Sequence, residues 1–325
     1  MKKAKLVKIS FTVLKLTIFA LAVVFVVQNI RAEENANEVW SRVSESFIDG
    51  NWWPTCFALA LLFLNWGLEG FKWKRLMHRE YPISTLVSVK AAFAGNATGA
   101  FTPNRVGGFI GRVMYLPKDK VLIGTLNTFV GNLAQLIATV VFGVFGSGLI
   151  SFQSIRMCTG EQSETASWII GGLVGMGLIV LLHLYFYTSA WLNLFFKFKW
   201  FARYKDKFEF LSQHSKLMLA EVLFYSLLRY VVFAFQFYLT LSFFEVHMDF
   251  LTCLALVGYL YLTITLIPTF LGKLGVREGA AGLIFCAFSP SVSATTMASL
   301  LLWMVNVAIA AIIGGILTLF IKRAK

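Results

Sequence analysis

Charge is scarce in this 325-residue chain. Asp, Glu, Lys and Arg together supply 14% of it, against about 25% in an ordinary soluble domain. That shortage excludes a water-facing domain large enough to carry an enzyme. Acidic residues are scarcer still, 16 against 29 basic ones, for a formal charge of +13. A basic surplus can mark a nucleic-acid binder, but these cations sit in short clusters beside apolar segments, so membrane orientation explains them and no nucleic acid is expected. Cysteine is sparse as well. Cys56, Cys158, Cys253 and Cys286 stand singly, without CxxC or Cys/His spacing, and are read as packing residues with no disulfide, metal or redox role. The chain has no Walker loop, HExxH, GxSxG or nucleotide fingerprint, so neither a cofactor nor a catalytic site is expected.

What the chain has is hydrophobicity: 58% of its residues are hydrophobic and its mean hydropathy is +0.73. Bilayer is the solvent for most of it, and since each helical crossing needs about 20 apolar residues, about six full spans are expected. The first runs from Ile9 to Ile30 behind Lys2, Lys3, Lys5 and Lys8 and is read as an uncleaved span. Others are expected at Trp52–Glu69, Val121–Ile150, Trp168–Tyr187, Leu217–Phe244 and Thr296–Ile321. Lys72, Lys74, Arg75, His78 and Arg79 follow the second span, and Lys322, Arg323 and Lys325 follow the last, which puts both termini on the cytoplasmic side of an inner, cytoplasmic membrane. A basic and aromatic stretch at about 196–216 is expected to lie on the cytoplasmic leaflet.

Two segments do not fit as simple crossings. If the stretch from Ile83 to Phe101 crossed, the basic residues Arg105, Arg112, Lys118 and Lys120 would be external, against the positive-inside rule; a re-entrant element over about 83–117 keeps them inside. The region of about 250–289 must likewise start and finish outside. It is broken at Pro268 and carries Lys273, Gly275, Arg277 and Glu278. Interrupted elements entering from opposite faces are the mark of an inverted repeat whose halves meet near the midplane. The expected fold class is therefore all-α and polytopic, one domain over 1–325.

Ionisable residues inside apolar segments are costly and so become candidates for function. Lys90, Arg105, Arg112, Glu221, Arg229, Lys273, Arg277 and Glu278 are the substrate-binding candidates. Six are basic and two acidic, which suits an anionic ligand such as a phosphate head group. Mutual pairing within the protein is the alternative. Glu221 and Arg229 lie eight positions apart, roughly 12 Å along one helix, so each needs a partner elsewhere. Asn127, Asn132 and Gln135 can share one face of the span from Val121. The spacings Gly95-xxx-Gly99, Gly107-xxx-Gly111 and Gly171-xxx-Gly175 are read as close helix packing, and His183 as a hydrogen-bonded core residue.

The two breaks carry a resemblance. Phe101-Thr102-Pro103-Asn104-Arg105-Val106-Gly107-Gly108, with Arg112 downstream, resembles the P-x-R-x-G-E signature of the lysylphosphatidylglycerol synthase transmembrane-region family, also called the flippase-like domain family. Leu274-Gly275-Val276-Arg277-Glu278-Gly279 after Pro268 resembles its second signature, G-L-G-V-R-E. The likeness spans nearly the whole chain. It departs at Gly108, where the family has Glu, and at Lys273, where it has Gly. The resemblance implies Pro103, Gly107, Gly108, Pro268 and Gly275 as structural motif positions. It also implies binding and flipping of a membrane lipid, since members fused to a synthase domain move aminoacylated phosphatidylglycerol, and stand-alone members are associated with polyprenyl-linked glycans. The partner expected is thus an anionic phospholipid or a polyprenyl-phosphate glycan; a homo-oligomer is compatible with the sequence. The chain ends soon after its last span, so no synthase activity is expected. An accessory or scaffold protein of envelope or glycan assembly is the alternative, and a membrane-embedded lipid-linked transferase the third reading.

Overall fold

A computed structural model describes residues 36–100, 106–149, 164–198, 205–266, 276–286 and 291–321, with a few isolated positions besides. Among the described residues every regular element is a helix. In chain order these are α1 (Ala36–Ile48), α2 (Trp53–Met77), α3 (Thr85–Ala100), α4 (Gly108–Val113), α5 (Val121–Leu149), α6 (Glu164–Phe186), α7 (Thr188–Phe195), α8 (Lys205–Ser212), α9 (Lys216–Phe243), α10 (Phe250–Leu266), α11 (Val276–Phe285), α12 (Val292–Trp303) and α13 (Ala310–Leu319). Helix α12 runs into α13 through a π-helical turn, Met304–Ile309.

Four helices are long and apolar enough to cross a membrane: α2, α5 with its 3₁₀ lead-in, α9, and α12 through α13; the pair α6 and α7, bent by 82°, would make a fifth. The expected first span at 9–30 lies outside the described residues. Helix starts follow local chemistry. Ser215 Oγ accepts from Met218 N at 3.2 Å, Ser291 Oγ from Ala294 N at 3.2 Å and Asp249 Oδ1 from Thr252 N at 3.0 Å, each satisfying a free donor of a first turn.

Glycine sets the tightest contacts. A Cβ on Gly111 would overlap the Ala94 carbonyl, one on Gly314 the Phe93 carbonyl, and one on Gly258 the Phe142 carbonyl. These close approaches bind α4 to α3, α13 to α3, and α10 to α5 in antiparallel fashion, the small-residue packing expected where no hydrophobic drive separates helix from lipid. Gly171 and Gly175 correct the packing expectation: nothing lies within 4 Å of a Cβ at either, and Leu173, Met176 and Ile179 around them are exposed.

Three smaller expectations also change. His183 is exposed in an aromatic stack with Tyr187 at 4.7 Å and Trp191 at 6.0 Å, outside the core. Asn132 is exposed while Asn127 is buried, so the three polar residues of α5 do not share a face. Cys56 and Cys253 are free, but Cys286 is disulfide-bonded, with a partner outside the described residues. The expected interfacial segment is described in part: α8 (Lys205–Ser212) falls within it, and Lys216 at its end lies 4.1 Å over the Tyr187 ring.

Candidate functional site

The antiparallel pair α2 and α9 forms the spine of the site. Asn65, Glu69 and Lys72 recur on one face of α2 at helical spacing, and all three are buried. Sequence reading ends the second span at Glu69 and places Lys72 in a cytoplasmic stretch. Instead α2 continues to Met77 and Lys72 turns inward, 1% exposed. No Pro or Gly interrupts the run after Gly70, so the helix has no reason to stop before the basic residues.

Glu69 is the hub. Its Oε1 accepts from Arg112 Nη2 at 2.6 Å, and its Oε2 accepts from Arg229 Nη1 at 2.8 Å. Lys72 Nζ lies 2.7 Å from the same Oε2 as an ion pair. Three cations from α2, α4 and α9 thus converge on one carboxylate, and Arg229 is the least buried of them at 19% side-chain exposure. Arg112 Nε and Nη1 are buried without an acceptor among the described residues, and Lys72 Nζ lacks hydrogen-bond geometry to any. Among the described residues one charge against three leaves the cluster at +2, and ions taken from water need an opposite charge or a polar ligand.

A hydrogen-bonded chain extends the cluster through the bundle. Arg229 Nε donates to Asn65 Oδ1 at 2.7 Å, its Nη1 to Gln135 Oε1 at 3.2 Å, and its guanidinium lies 5.0 Å over the Trp66 ring. Gln236 Oε1 accepts from Asn65 Nδ2 at 3.2 Å and from Asn306 Nδ2 at 3.0 Å. Two main-chain carbonyls of the π-helical segment accept from side chains of neighbouring helices. Asn306 O accepts from Trp66 Nε1 at 3.2 Å and Val307 O from Asn96 Nδ2 at 3.1 Å.

Helix α4 is held so that Arg112 reaches Glu69. Gly95 and Gly108 bring the two backbones together, Arg112 packs beside Gly95, and Gly111 N donates to Thr98 Oγ1 at 3.1 Å. Gly108 therefore serves contact with α3 and has no side chain to offer the cluster.

A second buried charge group is separate from the first. Arg277 on α11 pairs with the adjacent Glu278 and donates from Nε to Ser299 Oγ of α12 at 3.1 Å. Both side chains are under 10% exposed. Glu221 pairs with Arg75 near the C-terminal end of α2, with Nη2–Oε1 at 3.2 Å and side chains more than a third exposed; it does not join Arg229. Lys90 is half-buried on α3 and makes no ion pair among the described residues. Gly107 donates its N–H to Thr102 Oγ1 at 2.8 Å. Pro103, Arg105, Pro268, Lys273 and Gly275 lie outside the described residues.

Sequence reasoning singled out Arg112, Arg229, Arg277 and Glu278 but missed Glu69 and Lys72, together with the amides of Asn65, Gln236 and Asn306. The available signal was periodicity: Asn65, Glu69 and Lys72 at i, i+4 and i+7 on a helix continuing unbroken. No group of His, Cys, Asp and Glu among the described residues is arranged to hold a metal ion. The sequence model of the family described as the lysylphosphatidylglycerol synthase TM region matches residues 12–317. No curated protein matches the chain.

Proposed function

Because the chain belongs to the lysylphosphatidylglycerol synthase transmembrane-region family, a membrane family with a lipid-related function, we propose that it binds an anionic lipid head group at the Glu69 cluster and carries it across the bilayer, without catalysing a reaction. The observation that carries this reading is the +2 imbalance of Lys72, Arg112 and Arg229 around Glu69. Arg is suited to phosphate through its planar fork of donors, and buried cations need an anion. A protein whose internal charges served only its own stability would be expected to balance them.

The hairpin geometry supports an entry path. Phe93 of α3 lies against Gly314 and Asn96 against Val307, so α3 runs antiparallel to α13 and its C-terminal end is directed toward the π-helical segment Met304–Ile309 that follows α12 and its Ser299. Ser299 is the residue that Arg277 contacts. Two interrupted elements entering from opposite faces are the arrangement that an inverted repeat sets about a binding site. We propose on the same ground that α3–α4 and α10–α11 are the two re-entrant elements of an inverted repeat.

The proposed orientation has both termini in the cytoplasm of an inner membrane. The disulfide of Cys286 at the end of α11 fits the oxidising outer face. A cysteine introduced at position 325 should resist an impermeant thiol reagent in intact cells, and labelling there would overturn the orientation.

The functional test is reconstitution of the full chain in liposomes carrying a fluorescent anionic lipid in one leaflet. The parent should speed its transbilayer movement, and Arg112→Gln, if folded, should lose most of that rate. A parent no faster than protein-free liposomes would refute transport, and one that also retained no anionic lipid on purification would refute binding.

A further inference from the structure

Resting on the reading that the Glu69 cluster receives a lipid head group, we infer that this head group carries two negative charges on phosphorus, as a phosphomonoester or a pyrophosphate diester does, and not the single charge of a phosphodiester phospholipid. The argument is a charge count in a place where charge is expensive. Glu69, Lys72 and Arg112 are 2%, 1% and 6% exposed, and with Arg229 they sum to +2. The neighbouring acids do not reduce that sum, since Glu221 is committed to Arg75 and Glu278 to Arg277. Nor do the hairpin connections, because the only ionisable residues in 101–105 and 267–275 are Arg105 and Lys273, both basic. A phosphodiester would leave at least one buried positive charge uncompensated; a dianion neutralises the cluster.

The donor count agrees. Arg112 Nε and Nη1 stand buried without an acceptor among the described residues, on a guanidinium that Glu69 Oε1 fixes through its third nitrogen. A terminal phosphate offers three strong acceptor oxygens, whereas a phosphodiester has two unesterified ones. Glu69 acts as a positioning residue: it screens the cations from one another while the site is empty and fixes where their open donors point.

The test uses the purified full chain in detergent at pH 7, where a phosphomonoester is mostly doubly ionised, with three probes. Phosphatidic acid and its phosphomethyl ester, with identical acyl chains, differ by one charge and one methyl group; inorganic phosphate supplies the dianion without a lipid. Phosphatidic acid should bind at least about tenfold tighter than the ester. Lys72→Met, which lowers the cluster to a single surplus charge, should cut that ratio to about twofold, while Lys72→Arg keeps it; a merely structural role would change stability without changing the ratio. If Lys72→Met does not fold, Arg112→Gln makes the same charge change. Equal affinity of the parent for the two lipids overturns the inference but leaves anionic-lipid binding standing. Failure of folded parent to bind either lipid overturns both. Inorganic phosphate that competes at the lipid's own concentration supports the dianion site with a free ion as its source, and competition only at thousandfold higher concentration supports a lipid head group.

Discussion

The two buried charge groups of this bundle make opposite uses of the same chemistry. On α11, Arg277 meets one carboxylate, its neighbour Glu278, and donates to a hydroxyl on α12. Around Glu69 three cations from three helices share a single carboxylate. Among the described residues the first group pairs one cation with one carboxylate, a clamp between adjacent helices. The second is one anion short twice over, and its surplus coincides with buried donors that have no acceptor. A buried ion pair is therefore weak evidence of a ligand site by itself. The count of charges, and of donors left over, separates the two.

The largest expected effect comes from removing the hub. Glu69→Gln leaves three cations facing one another and should cost roughly 3–5 kcal/mol, the scale of breaking a buried pair, more than Glu278→Gln in the same detergent. Thermal unfolding followed by tryptophan fluorescence measures both. Equal losses would erase the distinction between the two groups.

An intermediate effect tests how Arg112 is delivered. Gly111→Ala places a methyl group on the Ala94 carbonyl, whereas a Cβ on Gly279 of α11 meets nothing within 4 Å. The first substitution should cost about 1–3 kcal/mol by overpacking and weaken anionic-lipid retention by displacing Arg112; the second should stay within about 0.5 kcal/mol of the parent. Should Gly111→Ala unfold like the parent and keep its lipid, α4 does not position the site.

At neutral pH the smallest effect lies outside both groups, and it must be subtracted from any acid titration of them. Burial, with Arg79 nearby, pushes the imidazole of His214 from 6.5 down to about 4. The unfolded chain then binds the proton more readily than the folded one between those values, so stability contributed by neutral His214 is full above pH 6.5 and is lost as pH falls toward 4. His214→Gln should flatten this slope in pH-dependent unfolding; an unchanged slope would assign it elsewhere.

The membrane class, the approximate position of most spans and the family were legible in this sequence. Each is written in local features: apolar run length, basic clusters beside runs, and Pro and Gly where a helix must break. Arg112 and Arg277 were legible for the same reason, as ionisable residues in segments that exclude them. The sequence also established that Glu221 and Arg229 need separate partners, because eight positions on a helix are too far for one pair. Only tertiary structure decided who those partners are. Glu69 meets Arg229 from 160 positions away and Arg112 from 43, and Gln236 gathers Asn65 and Asn306 from opposite ends of the chain. Periodicity sets Lys72, and not Lys74, on the face of Asn65 and Glu69, but only the packing of that helix against its neighbours decides that this face is the buried one. The charge surplus of the site is a property of that packing: the residues can be read singly, but their sum exists only where three helices meet.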